Sequence, residues 1–420
     1  MRDAIIFIVI FGSLPFCFLR PWIGILVFSW ISYMNPHRFT WASAYDYPFA
    51  KVVAIVTIAG LLFTKDRMPL PKTRETLLIV LLGLYFTLTT FFAFNQNAAW
   101  IQWEKVIKIL VMTLATMVLI NDPKKLKYLV MVIAISIGFL GIKGGIFSFV
   151  TGGGFRVYGP PGSFFADNND MALALNMAIP MLFYLAKNEE NKRLKMAFWF
   201  TFASSIVSVV FTYSRGGFLA LAIVLAFLFF KSQHKTIAVI ILSVVLIIGA
   251  VYIPVQWFER IDTIRSYEED SSARGRINAW KTALNLAKDR PLIGGGFETF
   301  IRPVFRIYAP VSSNVHDVHS IYFEVLGEHG FVALGLFILL ILYSLSTAQK
   351  LKKTVRNNHD FKWVEDYSSM FQMSLIAYMV GGLFLGRAYF DLYYHIVAMI
   401  VIMQVLVDKE IVQKNNIHFG

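Results

Sequence analysis

The segment HDVHSIYFEVLGEHG, residues 316–330, places ionisable side chains where a polar stretch gives way to a long apolar one. His316 and His319 are three apart, and Glu324, Glu328 and His329 follow inside the apolar run. With a helix beginning near Ser320, His319 stands at its polar end. Gly330 is eleven residues on, close to three turns, and lies under the same face with Tyr322, Phe323 and Leu326. A glycine there admits another backbone or a lipid chain. A neutral imidazole at such a boundary takes a proton from a hydroxyl; the plainer alternative is a histidine that only hydrogen-bonds its loop. Glu324, about one turn below, is placed to tune His319 or to bind substrate. His316, Asp317 and His319 make a poor metal site, because zinc needs more ligands and neither an HExxH nor a second cluster occurs.

The second group of candidates is arginine. Arg215 opens an apolar run in FTYSRGG, and two glycines after it leave its surroundings open. An arginine in or beside a membrane span is functional by default, the alternative being snorkelling to the headgroups. Arg276 lies one turn before Trp280, with Arg274 as its neighbour and competitor; a solvated helix face is the alternative there. Arg156 follows three glycines, and Arg387 sits in the turn GRAYFD. Guanidinium matches phosphate bidentately and is weakly hydrated, so these residues are candidate donors to a diphosphate. Asn168, Asn169 and Asp170 are expected to cap the next helix, or else to bind sugar hydroxyls.

These residues need a scaffold, and composition names it. The chain of 420 residues is 57% hydrophobic and 15% charged, below the roughly 25% charged of soluble domains. Continuous apolar runs without strand-like alternation predict an all-α polytopic membrane protein. Spans are placed at 3–34, 50–64, 75–94, 101–120, 126–150, 171–187, 195–213, 216–231, 236–254, 320–348, 367–386 and 389–407, about twelve transmembrane helices in one integral-membrane domain over 1–420. The first, interrupted by RPW, is a broken helix, a re-entrant segment or two short helices. If it crosses once, the lysine-rich loops 65–75, 121–127, 187–195, 231–235 and 349–363 share one side, which the positive-inside rule makes cytoplasmic, with both termini. The net charge of +13 is read as this orienting charge, not as a nucleic-acid surface. The opposite side carries mostly arginine and the long loop 255–319. In that loop residues 273–290 read as an amphipathic helix ended by Pro291, followed by LIGGGF as a flexible turn. The lone Cys17 excludes a disulfide framework. Without a P-loop or dinucleotide fingerprint, neither ATP nor nicotinamide is expected, and no cofactor; the energy then resides in the substrate.

Taken together, SRGG, GRINAW, DRPLIGGGF and HS opening a span with GEHGFVALG resemble the O-antigen ligase superfamily. Its spacing of His, then Asn, Ser or Gln, then nine residues, then Gly is matched by His319, Ser320 and Gly330. The next position differs: the family has Gly, Thr or Tyr three residues later, and here stands Ala333. The start, RPWIGILVFSWISYMNPHRFTWASAYDYPFA, is similar to the branch of exosortase-associated O-glycosylation ligases. The resemblance implies a GT-C-type glycosyltransferase in the bacterial inner membrane with a folded periplasmic loop. It would take a glycan from undecaprenyl diphosphate without metal or ATP and pass it to a lipid A–core sugar. His319 would be the base, and Arg215 and Arg276 would grip the diphosphate. A protein oligosaccharyltransferase and an O-antigen polymerase share the donor; a transporter is the alternative of another class.

Overall fold

The computed structural model describes residues 2–231, 271–356 and 358–418. The expected span 236–254 and the loop residues Arg260 and Arg265 lie outside the described residues. Among the described residues the secondary structure is helical throughout, with fourteen α-helices and no strand. They are α1 (Arg2–Leu19), α2 (Pro21–Met34), α3 (Phe49–Phe63), α4 (Arg74–Thr90), α5 (Gln96–Leu119), α6 (Pro123–Val150), α7 (Asn168–Asn188), α8 (Lys192–Phe211), α9 (Arg215–Lys231), α10 (Ser271–Asp289), α11 (Arg302–Tyr308), α12 (Ile321–Val355), α13 (Lys362–Gly381) and α14 (Asp391–His418). Five of these, α1, α6, α7, α8 and α12, are long and apolar enough to cross a membrane. Local chemistry sets several starts. Side chains of Thr73, Asn95, Asp122 and Asn191 accept hydrogen bonds from the first backbone N–H groups of α4, α5, α6 and α8.

Residues 3–34 do not cross once. Arg20 separates two antiparallel helices. Asp3, at the start of α1, accepts from Ala44 N at 3.0 Å, beyond the end of α2. Phe7 packs on Phe49 and Phe18 on Phe63, so α1 runs parallel to α3. Gly24 and Gly60 let α2 lie against α3: a Cβ on Gly24 would run into the Thr57 side chain, and one on Gly60 would come 2.9 Å from Pro21 Cγ. This reverses the expectation for the N-terminus. Tyr45 donates to the Pro161 carbonyl, so α1 begins on the face that carries the 151–167 loop. The lysine-rich face lies opposite, where Lys125 pairs with Asp66, and Lys187 with Asp366. Since α14 runs away from the site, the two ends of the chain emerge on opposite faces instead of sharing one.

LIGGGF is a fixed wedge and not a flexible turn. Helix α12 breaks at Gly330, whose φ is 76°. Pro291 to Gly296 fills the break: Gly295 N donates to Gly327 O, Gly296 N to Glu328 O, and Phe331 N to Pro291 O, at 2.7–2.9 Å. The carbonyls and N–H freed by the break therefore find partners, as a buried helix interruption requires. Gly295 O in turn accepts from Phe94 N. Helix α10, with Ala279, Ala283, Leu286 and Ala287 buried, thereby lies against α12 just above the break.

Candidate functional site

Four segments meet on the face opposite the lysines: the 151–167 loop, the turn 212–214, helix α10 and the α13–α14 connection. They enclose a cavity of about 170 Å³ lined by Arg156, Asn168, Asn169, Tyr213, Arg215 and Arg276 among others. Ser214 Oγ accepts from Gly217 N at 3.0 Å and so caps α9. The two glycines after Arg215 do not leave open space. A Cβ on Gly217 would come 2.5 Å from the Ala172 Cβ, and Gly216 lies against Phe384. Asn176, buried in α7, donates to the Gly217 carbonyl at 2.8 Å. This close packing seats the first turn of α9, and Arg215 with it, at the cavity wall. Tyr213, at φ 55°, donates to the Gly153 carbonyl and ties the turn to the loop that bears Arg156.

His319 lies beside this cavity, one residue before the N-cap Ser320 of α12. Its φ is 41°, a left-handed conformation that costs a non-glycine residue about 1–3 kcal/mol and persists only where neighbours enforce it. The enforcing contacts flank it. Trp280 Nε1 donates to the Val318 carbonyl at 2.8 Å, and the Ser320 carbonyl accepts from Glu324 N at 2.8 Å. Burial lowers the affinity of the imidazole for a proton and Arg276 lowers it further, while the carboxylates of Asp317, Asp167 and Asp170 act the other way. The net shift is downward from 6.5, so the ring is neutral at pH 7. Its Nδ1 stands 3.8 Å from Asp317 Oδ2. A neutral imidazole with a partly exposed edge, near Arg276, can accept a proton while negative charge develops nearby.

A second and larger cavity, of about 590 Å³, opens on the other side. His316, Asp317, Glu298, Glu324, Glu328 and Arg387 are among its lining. Gly386 marks the junction: a Cβ there would stand 3.6 Å from His319 N, from Asp317 Oδ2 and from Glu324 Oε2. Between the cavities runs an ion pair. Arg387 Nε donates to Asp170 Oδ1 at 2.7 Å and Nη2 to Oδ2, and the guanidinium lies over the Phe164 ring.

The structure thus gathers Arg156, Arg215 and Arg276 at one cavity, with His319 next to it. It does not bring the other two arginines in. Arg387 is engaged bidentately by Asp170, and Arg274 is exposed and lines neither cavity. Glu324 Oε2 accepts from Ala388 N and fixes the turn before α14. Tyr322 packs toward α13, with its hydroxyl near the Met379 carbonyl. Gly330 takes the Pro291 backbone against it, a close approach that no other residue type permits at this φ. His316 lies on the backbone of Gly275. Asp167, not the residues after it, caps α7. Asn168 instead holds the Thr212 carbonyl, and Asp170 takes Arg387. Sequence reasoning missed Asn176, Tyr213 and Glu298. Only Asn176 leaves a signal, a lone amide within an apolar helix.

Residues 200–338 match the family model described as O-Antigen ligase. This part of the chain is similar to the O-antigen ligases. The O-antigen ligase match contains Arg215, Arg276, His319 and Gly330 but neither Arg156 nor Arg387. Residues 1–190 match a family of unknown function (DUF5935), so Arg156 and the 151–167 loop come from that part. No curated protein matches the chain. That similarity, and five described helices long and apolar enough to cross a membrane, are consistent with a membrane protein.

Proposed function

We propose that the protein transfers a glycan from undecaprenyl diphosphate to a hydroxyl of a lipid A–core sugar, on the periplasmic face of the bacterial inner membrane. The observation that carries this reading is the convergence of Arg156, Arg215 and Arg276 on one cavity beside a neutral His319. The diphosphate lies against the three arginines and the N-terminal end of α9, whose helix dipole also favours an anion. His319 takes the proton of the acceptor hydroxyl as its oxygen attacks the anomeric carbon. The bond from that carbon to the diphosphate oxygen breaks, and the lipid diphosphate leaves with the electron pair. Arginine stabilises the charge that grows on the leaving group, the interaction that counts most because it strengthens in the transition state. Attack from the far side of the sugar inverts the anomeric configuration. The donor is already activated, so the reaction calls for neither nucleotide nor metal.

The test is reconstitution of the purified protein with undecaprenyl-diphosphate glycan and lipid A–core, in EDTA and without nucleotide. Joined product with the inverted linkage by NMR supports the reading. Retained configuration contradicts the single displacement. Joined product on Ser or Thr of a protein, or a lengthened lipid-linked glycan, moves the acceptor while leaving the donor chemistry in place.

A further inference from the structure

The larger cavity has no assigned occupant in the scheme above, and its chemistry differs from that of the arginine cavity. We propose that it is the acceptor site, and that it admits a saccharide terminus carrying no phosphate or carboxylate near the hydroxyl to be glycosylated. This assignment rests on the proposed transfer reaction. Its position comes first. Gly386 in the cavity wall lies next to the backbone of His319, so an occupant sits beside the residue that bears the base. Arg387 of this wall is paired with Asp170, which follows Asn168 and Asn169 of the arginine cavity, so the two cavities adjoin, and a displacement needs nucleophile and leaving group on opposite sides of the reacting carbon.

Size and lining follow. A cavity of about 590 Å³ lies within the roughly 300–1,000 Å³ range of small-molecule sites. Its wall includes the rings of Phe164 and Phe300, the amide of Gln102 and the carboxyl group of Glu298. Aromatic faces receive the C–H face of a sugar ring, and amide and carboxyl groups exchange hydrogen bonds with its hydroxyls. Charge then sets the selectivity. Four carboxyl groups, those of Glu298, Asp317, Glu324 and Glu328, line this cavity. Of its two lysine and arginine side chains, Arg387 is already matched by Asp170, which leaves Lys105. A phosphate brought here meets the exposed carboxylates of Glu298 and Asp317, and the one guanidinium in the wall is already engaged by Asp170, the repulsive element by which sites exclude a wrong ligand.

The test uses the full chain in lipid nanodiscs. Cys17 is the one cysteine of the sequence and is buried, so Gln102→Cys adds a single reactive thiol at the cavity wall. Its alkylation by a small maleimide is timed with a mixture of neutral oligosaccharides of two to four sugars, with the same mixture phosphorylated, and with undecaprenyl diphosphate. The expected result is slowing by the neutral mixture, about threefold at twice its dissociation constant, and no slowing by the other two. Adding Glu298→Lys, an exposed position, is expected to bring in protection by the phosphorylated mixture. Equal protection by both mixtures, or none by the neutral one, overturns the proposal. Protection without glycan transfer by the wild type sinks the reaction and keeps this site; transfer without protection does the reverse.

Discussion

Trp280 and Val318 are joined by a 2.8 Å hydrogen bond from the indole Nε1 to the backbone carbonyl, one residue before His319. The same indole stacks on Phe323, with ring centroids 5.1 Å apart and planes 9° from parallel. One side chain of α10 thus holds the segment on both sides of the left-handed His319. Trp280→Phe keeps an aromatic ring on Phe323 and removes the N–H. We expect kcat to fall about tenfold to a hundredfold through misplacement of the imidazole, with the KM for donor and the unfolding temperature little changed. Steady-state kinetics beside a thermal melt check this. A melt that falls while kcat holds would make Trp280 a packing residue only.

Asp317 favours the protonated form of His319, while burial and Arg276 oppose it. The base works when neutral, so activity is lost as pH falls through its pKa, which lies below 6.5. In Asp317→Asn the carboxylate that raises the pKa is gone, and the acid limb of kcat/KM moves to lower pH. The measurement is the pH profile of transfer for the two proteins. An acid limb that moves up would show that Asp317 does not act on His319 as the geometry indicates.

Arg387 and Arg215 are both candidates by type, yet they part by environment. Arg387→Ala leaves Asp170 buried without its partner, a cost below the roughly 3–5 kcal/mol of a wholly buried pair because Arg387 is about a third exposed. We expect lower stability and an unchanged donor KM. Arg215→Lys keeps the charge and loses the fork, and is expected to reduce kcat/KM for donor about tenfold to a hundredfold without lowering stability. Donor titrations and melts on both variants separate the roles.

Gly330 combines a φ of 76° with a Cβ position 2.4 Å from the Pro291 carbonyl oxygen. Gly330→Ala therefore adds about 1–3 kcal/mol of backbone strain and forces the wedge to shift as well. Thermal unfolding in detergent is expected to show a clear loss of stability. A melt equal to wild type would mean that the wedge moves freely.

What could be read in the sequence was what covalent spacing controls. Ser320 to Gly330 is a fixed number of helical turns, and the amphipathic stripe of residues 273–290 appears as α10, Ser271–Asp289. The pairing of Arg387 with Asp170 could not be read, because its partner is 217 residues away and no local pattern announces it. The α1–α2 hairpin, one of three alternatives for residues 3–34, could not be singled out because its members, 18 and 14 residues, sum to one overlong apolar run; only RPW marks the turn. LIGGGF has a turn's composition, yet its glycines serve a wedge whose partners belong to a later helix. The second cavity draws Gln102, Phe164, Glu298 and Arg387 from distant parts of the chain, so nothing local announces it.

The central claim is that His319 takes the acceptor proton in a transfer powered by the lipid diphosphate. The most direct measurement compares wild type with His319→Ala for joined product, from undecaprenyl-diphosphate glycan and lipid A–core, while donor binding and thermal stability are recorded for both. The account expects product from the wild type, none above background from the variant, and equal donor binding and stability. Transfer by the variant at the wild-type rate would contradict it, since the base would then be some other group.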